Sequence, residues 1–158
     1  MKNSFVSNIL LTFVWVVLTG DFHFTNYLFG FILSYFILMV ITSGARKAKY
    51  FTIVPKLINF VFFFVYELIK ANLQVAWEVG TPKLHMRPGI IKVPLTVQSD
   101  AGITLLANMI TLTPGTLSLD VSDDKKVLYV HAMYIDDKEE FVAGIKNGFE
   151  KRILDILT

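Results

Sequence analysis

Two long stretches without a charged side chain, separated by a few residues, constrain this chain more than anything else in it. Eighteen residues between Lys2 and Asp21 carry no charge, and neither do the 22 from Phe24 to Ala45. At the helical rise of 1.5 Å per residue these reach about 27 and about 33 Å, against a bilayer hydrocarbon core of ~30 Å. Both are expected to span, over about 4–20 and 24–45. Gly20-Asp21-Phe22-His23 has room only for a tight turn, so the pair predicts a helical hairpin. Trp15, Tyr27 and Tyr35 are its candidate interface or packing aromatics. A cleaved signal peptide is the competing reading of the first stretch, but Val17-Leu18-Thr19-Gly20 is a poor small-residue cleavage site.

Composition supports a membrane protein and removes several alternatives. Hydrophobic residues make up 54% and charged residues 18%, where soluble domains carry roughly 25% charged residues. Disorder needs the opposite balance. With no Cys among the 158 residues, disulfide scaffolds, thiol catalysis and cysteine metal sites are excluded. A net charge of +2 is too small to point to nucleic acid.

The charges are unevenly placed. Residues 1–80 hold nine Asp, Glu, Lys or Arg and residues 81–158 hold nineteen. That pattern predicts a membrane part, 1–80, followed by a small water-exposed domain, 81–158. The border falls between Gly80-Thr81-Pro82 and Arg87-Pro88-Gly89, where Pro and Gly interrupt both helix and strand patterns.

A third apolar helix is expected at about 53–79. Only ten residues, Leu57 to Tyr66, lie between Lys56 and Glu67, enough for about 15 Å of helix. Each charge drawn into the bilayer centre costs about 2.5–3.5 kcal/mol, against roughly 0.3–0.6 gained per large apolar residue, so insertion energy leaves spanning and interfacial placements close. Flanking charge separates them. Lys2 precedes the hairpin and Arg46, Lys47, Lys49 and Lys56 follow it, so the positive-inside rule puts both hairpin ends in the cytoplasm. Lys83, Arg87 and Lys92 after the third stretch are again basic. The favoured arrangement is a third helix at, or dipping into, the cytoplasmic face, with the C-terminal domain cytoplasmic. Glu67 and Lys70 are a candidate intramembrane polar pair, since such groups mark ion paths in transporters. Spaced i, i+3, they also simply pair across one helix face.

In the polar half, Ile91 to Gln98 alternates as a half-buried strand, with Pro94 indicating an edge strand or a bulge. Ser99 or Asp100 caps a helix through Ile103, Leu106 and Ile110 that ends at Thr113-Pro114-Gly115, suited to a type II turn. Leu117 to Val121 and Val127 to Ala132 form a hairpin around Asp123-Asp124-Lys125-Lys126. The last helix carries Phe141, Ile145, Phe149, Ile153 and Leu157 on one stripe, with Asp137 and Glu140 resembling a capping box. The expected domain is thus α+β, ordered β-α-β-β-α, with its first two strands parallel through a right-handed crossover. About 70 residues is marginal for independent stability, so support from the membrane part or a partner is expected.

No phosphate loop, nucleophile elbow or zinc motif occurs. His23, His85 and His131 lack ligand spacing, and the acidic residues around Asp120 to Asp137 do not follow the EF-hand order. These absences point away from an enzyme.

Asn108-Met109-Ile110-Thr111-Leu112-Thr113-Pro114-Gly115-Thr116-Leu117, followed by Asp120 and by Leu128-Tyr129-Val130-His131, resembles the E subunit of multisubunit Mrp-type Na+/H+ antiporters. The apolar hairpin, the third apolar stretch, Arg87-Pro88-Gly89 and the late amphipathic helix fit the same family, so the likeness covers nearly the whole chain. It implies an accessory, non-catalytic subunit of a multi-pass bacterial cell-membrane complex that exchanges cytoplasmic sodium for external protons. Its large subunits, related to respiratory complex I, carry the antiport machinery. The implied partners are other integral membrane subunits and the lipid bilayer, with no cofactor and no metal. The resemblance supplies no catalytic residues. It marks Asn108, Thr113, Pro114, Gly115, Asp120 and His131 as interface or structural candidates. The alternative is a stand-alone membrane-anchored module that binds a ligand or anionic lipid through Lys83, Arg87 and Lys92.

Overall fold

The computed structural model describes residues 2–42, 49–82 and 86–157. Three helices come first: α1 (Lys2–Thr19), α2 (Phe24–Thr42) and α3 (Lys49–Gly80). There follow β1 (Gly89–Pro94), α4 (Asp100–Leu112), β2 (Thr116–Val121), β3 (Val127–Ala132) and a C-terminal helix in three segments. These are α5 (Lys138–Ile145), a π-helical turn (Lys146–Glu150) and α6 (Lys151–Leu157). Phe24–Thr42 and Lys49–Gly80 are each long and apolar enough to cross a membrane, and Ser4–Thr19 is a shorter apolar helix. The uncharged run from Phe24 to Ala45 thus gives a helix ending at Thr42, and its last residues lie outside the described ones.

Packing divides the chain into two compact units at Pro55, residues 1–55 and 56–158. The compositional border near residue 80 is a different boundary: residues 56–80 of α3 pack with the C-terminal elements.

In the first unit, α1 and α2 form the hairpin, and Asn26 organises its turn. The Asn26 amide donates to Thr19 Oγ1 and to the Asp21 carbonyl, both at 2.7 Å, and its Oδ1 accepts from Trp15 Nε1 at 2.9 Å. Trp15 lies against Phe29, ring centroids 5.6 Å apart, and against Gly30, where an added Cβ would sit 2.8 Å from the indole. At the other end, Asn8 Nδ2 donates to Tyr50 Oη at 2.8 Å, and Tyr35, Tyr50 and Phe51 form an aromatic cluster. Most remaining apolar side chains of α1 and α2 point outward, Leu18, Phe24 and Val40 among them.

The second unit has one sheet with helices on one face. Strand order is β1-β3-β2, and both ladders are antiparallel. β1 and β2, each antiparallel to β3, therefore run parallel to one another as expected, but with β3 between them. The physical reason is visible in β3. Its alternate residues Leu128, Val130 and Ala132 are fully buried and it has no proline, so it suits the centre, whereas Pro94 suits β1 to an edge. Ile91, Val93, Leu128 and Val130 meet Ile103, Leu106 and Ile110 of α4, Ile145, Phe149 and Ile153 of the last helix, and Phe60 of α3. Each such fully buried aliphatic contributes about 1.5–3 kcal/mol. Local signals set the helix starts. Ser99 Oγ accepts from Gly102 N at 3.2 Å, and Asp137 Oδ1 accepts from Glu139 N and Glu140 N at 2.7 and 2.9 Å.

The C-terminal helix departs from a regular i+4 stripe. Ile145, Phe149 and Ile153 are buried, while Leu157, at the end of α6, is exposed. Gly148 and Glu150 are buried with Phe149 in the π turn.

Candidate functional site

A groove of about 440 Å³ runs between residues 67–74 of α3 and the end of the sheet. Glu67 and Lys70 line one wall, the turn Thr113-Pro114-Gly115-Thr116 the other, and Tyr134, Asp136 and Glu140 the mouth. It opens on an apolar recess of about 250 Å³ bounded by Phe63, Ile110, Phe141, Ile145 and Phe149. The structure therefore brings together five of the residues singled out by sequence: Glu67, Lys70, Thr113, Pro114 and Gly115.

The turn that forms this wall is built by short-range chemistry. Thr116 N donates to the Thr113 carbonyl at 3.2 Å, Pro114 occupies the first central position and Gly115 the second. Gly115 has φ +87°, the value a type II turn needs there and one that L side chains rarely adopt. Both threonine hydroxyls close off the end of α4: Thr113 Oγ1 donates to Met109 O at 2.9 Å and Thr116 Oγ1 to Ile110 O at 2.5 Å. Met133 N donates to Gly115 O at 2.8 Å, which ties the turn to the end of β3.

Glu67 and Lys70 stand 4.0 Å apart, Lys70 the more exposed. Their spacing is that of a weak surface pair, worth about 0.2–0.5 kcal/mol on a helix. Asn108 is exposed on α4. Asp120 is exposed on β2, its Oδ1 accepting from Val121 N at 2.8 Å, beside a register shift between Ser118 and Asp120. His131 is half-buried on the sheet face opposite the helices, in register with Ile90 on one side and Leu117 on the other. These three lie outside the groove.

The basic residues considered for anionic lipid are either engaged or outside the described residues. Arg87 lies 3.5 Å from Asp136 and Lys92 lies over the Tyr129 ring at 5.8 Å, while Lys83 and His85 fall in the segment that is not described. Among the described residues no group of His, Cys, Asp or Glu is arranged to hold a metal ion.

Sequence reasoning passed over a second polar cluster. Glu150 is 1% exposed, yet its Oε1 accepts from Thr96 N at 2.5 Å and Val97 N at 3.0 Å. Its Oε2 meets Lys146 Nζ at 3.2 Å. Lys146 Nζ donates further to Pro94 O and Thr96 Oγ1, both at 2.8 Å. This pair replaces the ladder partners that the chain loses as it leaves β1. The one sequence signal for it was an acid next to Phe149 on an apolar helix.

The geometry is that of an α+β protein with two helices long and apolar enough to cross a membrane, a surface groove and no assembled catalytic constellation among its described residues. A family model described as "Na+/H+ ion antiporter subunit" matches residues 8–156. The relatives include the E subunit of the Na(+)/H(+) antiporter of Alkalihalophilus pseudofirmus, 36% identical over 149 residues with 94% of each chain covered. The protein of the same name from Bacillus subtilis is 37% identical over 149 residues, again with 94% of each covered. Among solved structures, a chain of the Mrp complex from Dietzia sp. is similar at TM-score 0.50 and 25% identity, covering 65% of this chain and 96% of its own. A chain of the membrane-bound sulfane sulfur reductase, an archaeal respiratory membrane complex, is similar at TM-score 0.57 and 28% identity, covering 97% and 98%. The chain belongs to the Na+/H+ ion antiporter subunit family.

Proposed function

We propose that this chain is an accessory subunit of a multisubunit Na+/H+ antiporter, supporting assembly and activity without being an enzyme or carrying the ions. The observation behind this reading is the near full-length likeness to proteins named as the E subunit of such antiporters. The α1–α2 hairpin holds it in the bacterial cell membrane beside other integral membrane subunits. Its β-α-β-β-α domain, the last helix interrupted by a π turn, lies in the cytoplasm, as the basic residues flanking the hairpin favour. Two helices are too few to enclose a water-filled ion path. Outward apolar side chains on α1 and α2, such as Leu18 and Val40, suit lipid and neighbouring helices. Thr113, Pro114 and Gly115 serve the domain as structural residues. Asn108, Asp120 and His131 lie on surface open to neighbours.

The test is purification of a tagged chain from native membranes in gentle detergent. Other integral membrane subunits are expected to come with it, and vesicles from cells lacking it are expected to lose Na+/H+ exchange. Recovery only as a lone monomer, with exchange intact in its absence, would overturn the proposal.

A further inference from the structure

The two faces of α3 carry opposite surroundings. Phe60, Phe63 and Phe64 pack into the core of the C-terminal domain, and Glu67, Gln74 and Glu78 line its cavities. The other face is an open apolar stripe: Ile58, Phe62, Val65, Tyr66, Ile69 and Leu73, ending at Trp77, with Phe62 72% and Trp77 71% exposed, Trp77 also bordering the cavity that Gln74 and Glu78 line. From Ile58 to Trp77 it extends about 28 Å along the helix. Asn72, at its edge, turns its amide onto the Leu68 carbonyl at 2.7 Å.

The packed face decides what the open face meets. Lys56 Nζ reaches Asp155 O at 2.5 Å, the Arg152 guanidinium lies 3.7 Å over the Phe63 ring, and Tyr134 and Asp136 lie by Gln74. The charged domain thus lies along α3 from Lys56 to the Glu78 region. If α3 crossed the bilayer, Arg152, Asp155, Glu67 and Lys70 would enter hydrocarbon with it, at about 2.5–3.5 kcal/mol for each charge near the centre. Placed in the plane of the membrane surface, the same helix buries its stripe in the boundary of headgroups and acyl chains and leaves the domain in water.

We infer that α3 from Lys56 onward is an interfacial helix whose Ile58–Trp77 stripe lies on the lipid surface, with the α+β domain mounted on its aqueous side. Lipid is the occupant because the stripe is continuous in sequence with the membrane hairpin. Only residues 43–48 separate α2 from α3, a link of at most ~25 Å. Tyr66 and Trp77 are, in addition, the side chains that favour the interface. The inference rests on the membrane hairpin proposed above. It is separable from the assignment to an antiporter complex, because helix depth is read without any partner.

Single cysteines at Phe62, Ile69 and Leu73, all outward-facing and set in a cysteine-free chain, can carry nitroxide labels in the full chain reconstituted into vesicles. Accessibility to oxygen and to an aqueous nickel chelate gives the depth of each. The expected result is the same shallow depth at all three sites, about 5–10 Å below the headgroups. A depth changing by about 16 Å between Phe62 and Leu73, as a spanning helix requires, would overturn the inference. So would high accessibility to nickel, which means water, or low accessibility to both reagents, which means protein.

Discussion

The Arg152 guanidinium lies 3.7 Å over the ring of Phe63, so a charged group of the last helix is stacked on the middle of the most apolar run of α3. Phe63 also meets Phe149 at 5.1 Å between ring centroids, tilted 70°. Arg152 Nη1 donates to the Asn147 and Gly148 carbonyls at 3.2 and 2.9 Å. Arg152→Met keeps the aliphatic bulk and loses both roles. A loss of about 2–3 kcal/mol is expected from the stacking and two hydrogen bonds. Thermal unfolding of the full chain in detergent, followed by circular dichroism, would show it as a lower Tm. An unchanged Tm would mean that the stack is incidental.

Glu150 gives the largest single-site effect expected in the domain. Glu150→Ala leaves Thr96 N and Val97 N without their acceptor and Lys146 without its carboxylate. Removing one member of a fully buried pair costs about 3–5 kcal/mol, and with Lys146 a third exposed the loss here is expected at or below the lower end of that range. Glu150→Gln keeps an amide oxygen for the two N–H groups and is expected to lose about half as much. Chemical denaturation of the three proteins checks the order, and equal losses for Ala and Gln would show that the charge, not the hydrogen bonding, matters.

Gly115→Ala tests the turn that walls the groove. At φ +87° an L residue is strained by about 1–2 kcal/mol, and the new Cβ would meet the Tyr134 ring at 3.4 Å. The substitution is expected to lower stability by that amount without abolishing folding, measurable as a shift in the denaturation midpoint. A stabilised variant would contradict the turn geometry.

Asp124 at the β2–β3 turn has its carboxyl held below the usual aspartate value. The chief cause is the Ser122 hydroxyl, which donates at 2.6 Å, followed by Lys126 N at 3.2 Å. Its folded value lies below the unfolded one, so its contribution to stability is present above the unfolded value near 3.8 and is lost as pH falls through the lower folded value. Ser122→Ala is expected to move the folded value back toward 3.8. Carboxyl-carbon NMR titration of both proteins reads the shift directly.

Glu67 lies in the groove beside Lys70, on the domain side of α3. An accessory role predicts that antiport by the assembled complex keeps its full rate with Glu67→Gln. A drop of tenfold or more in vesicle exchange assays would instead put Glu67 on the ion path.

What the sequence made legible was local. The caps at Ser99 and Asp137, the Pro114-Gly115 turn and the Asp123–Lys126 hairpin tip depend on residues within four positions of one another, and periodicity located the strands. The strand order depended on competition for the central place, which no single strand reveals. The backbone partners of Glu150, Thr96 and Val97, could not be read from its neighbourhood because they are more than fifty residues away. Composition treats all the aromatics of α3 alike. The fold covers Phe60 and Phe63 with the chain's own domain and leaves Phe62 and Tyr66 open. Glu67, Lys70 and the Thr-Pro-Gly turn were each noticed, but only the packing of α3 on the domain makes them neighbours.

The register shift at Leu119, between Ser118 and Asp120 of β2, bears on how such a chain survives before its partners arrive. A three-stranded sheet has two unpaired rims, on which another copy of the chain could add a strand. The bulge breaks the straight run of donors and acceptors on the β2 rim, while Pro94 and Lys92 interrupt the β1 rim. Strand addition between identical chains is thereby discouraged on both sides, leaving the sheet free to wait.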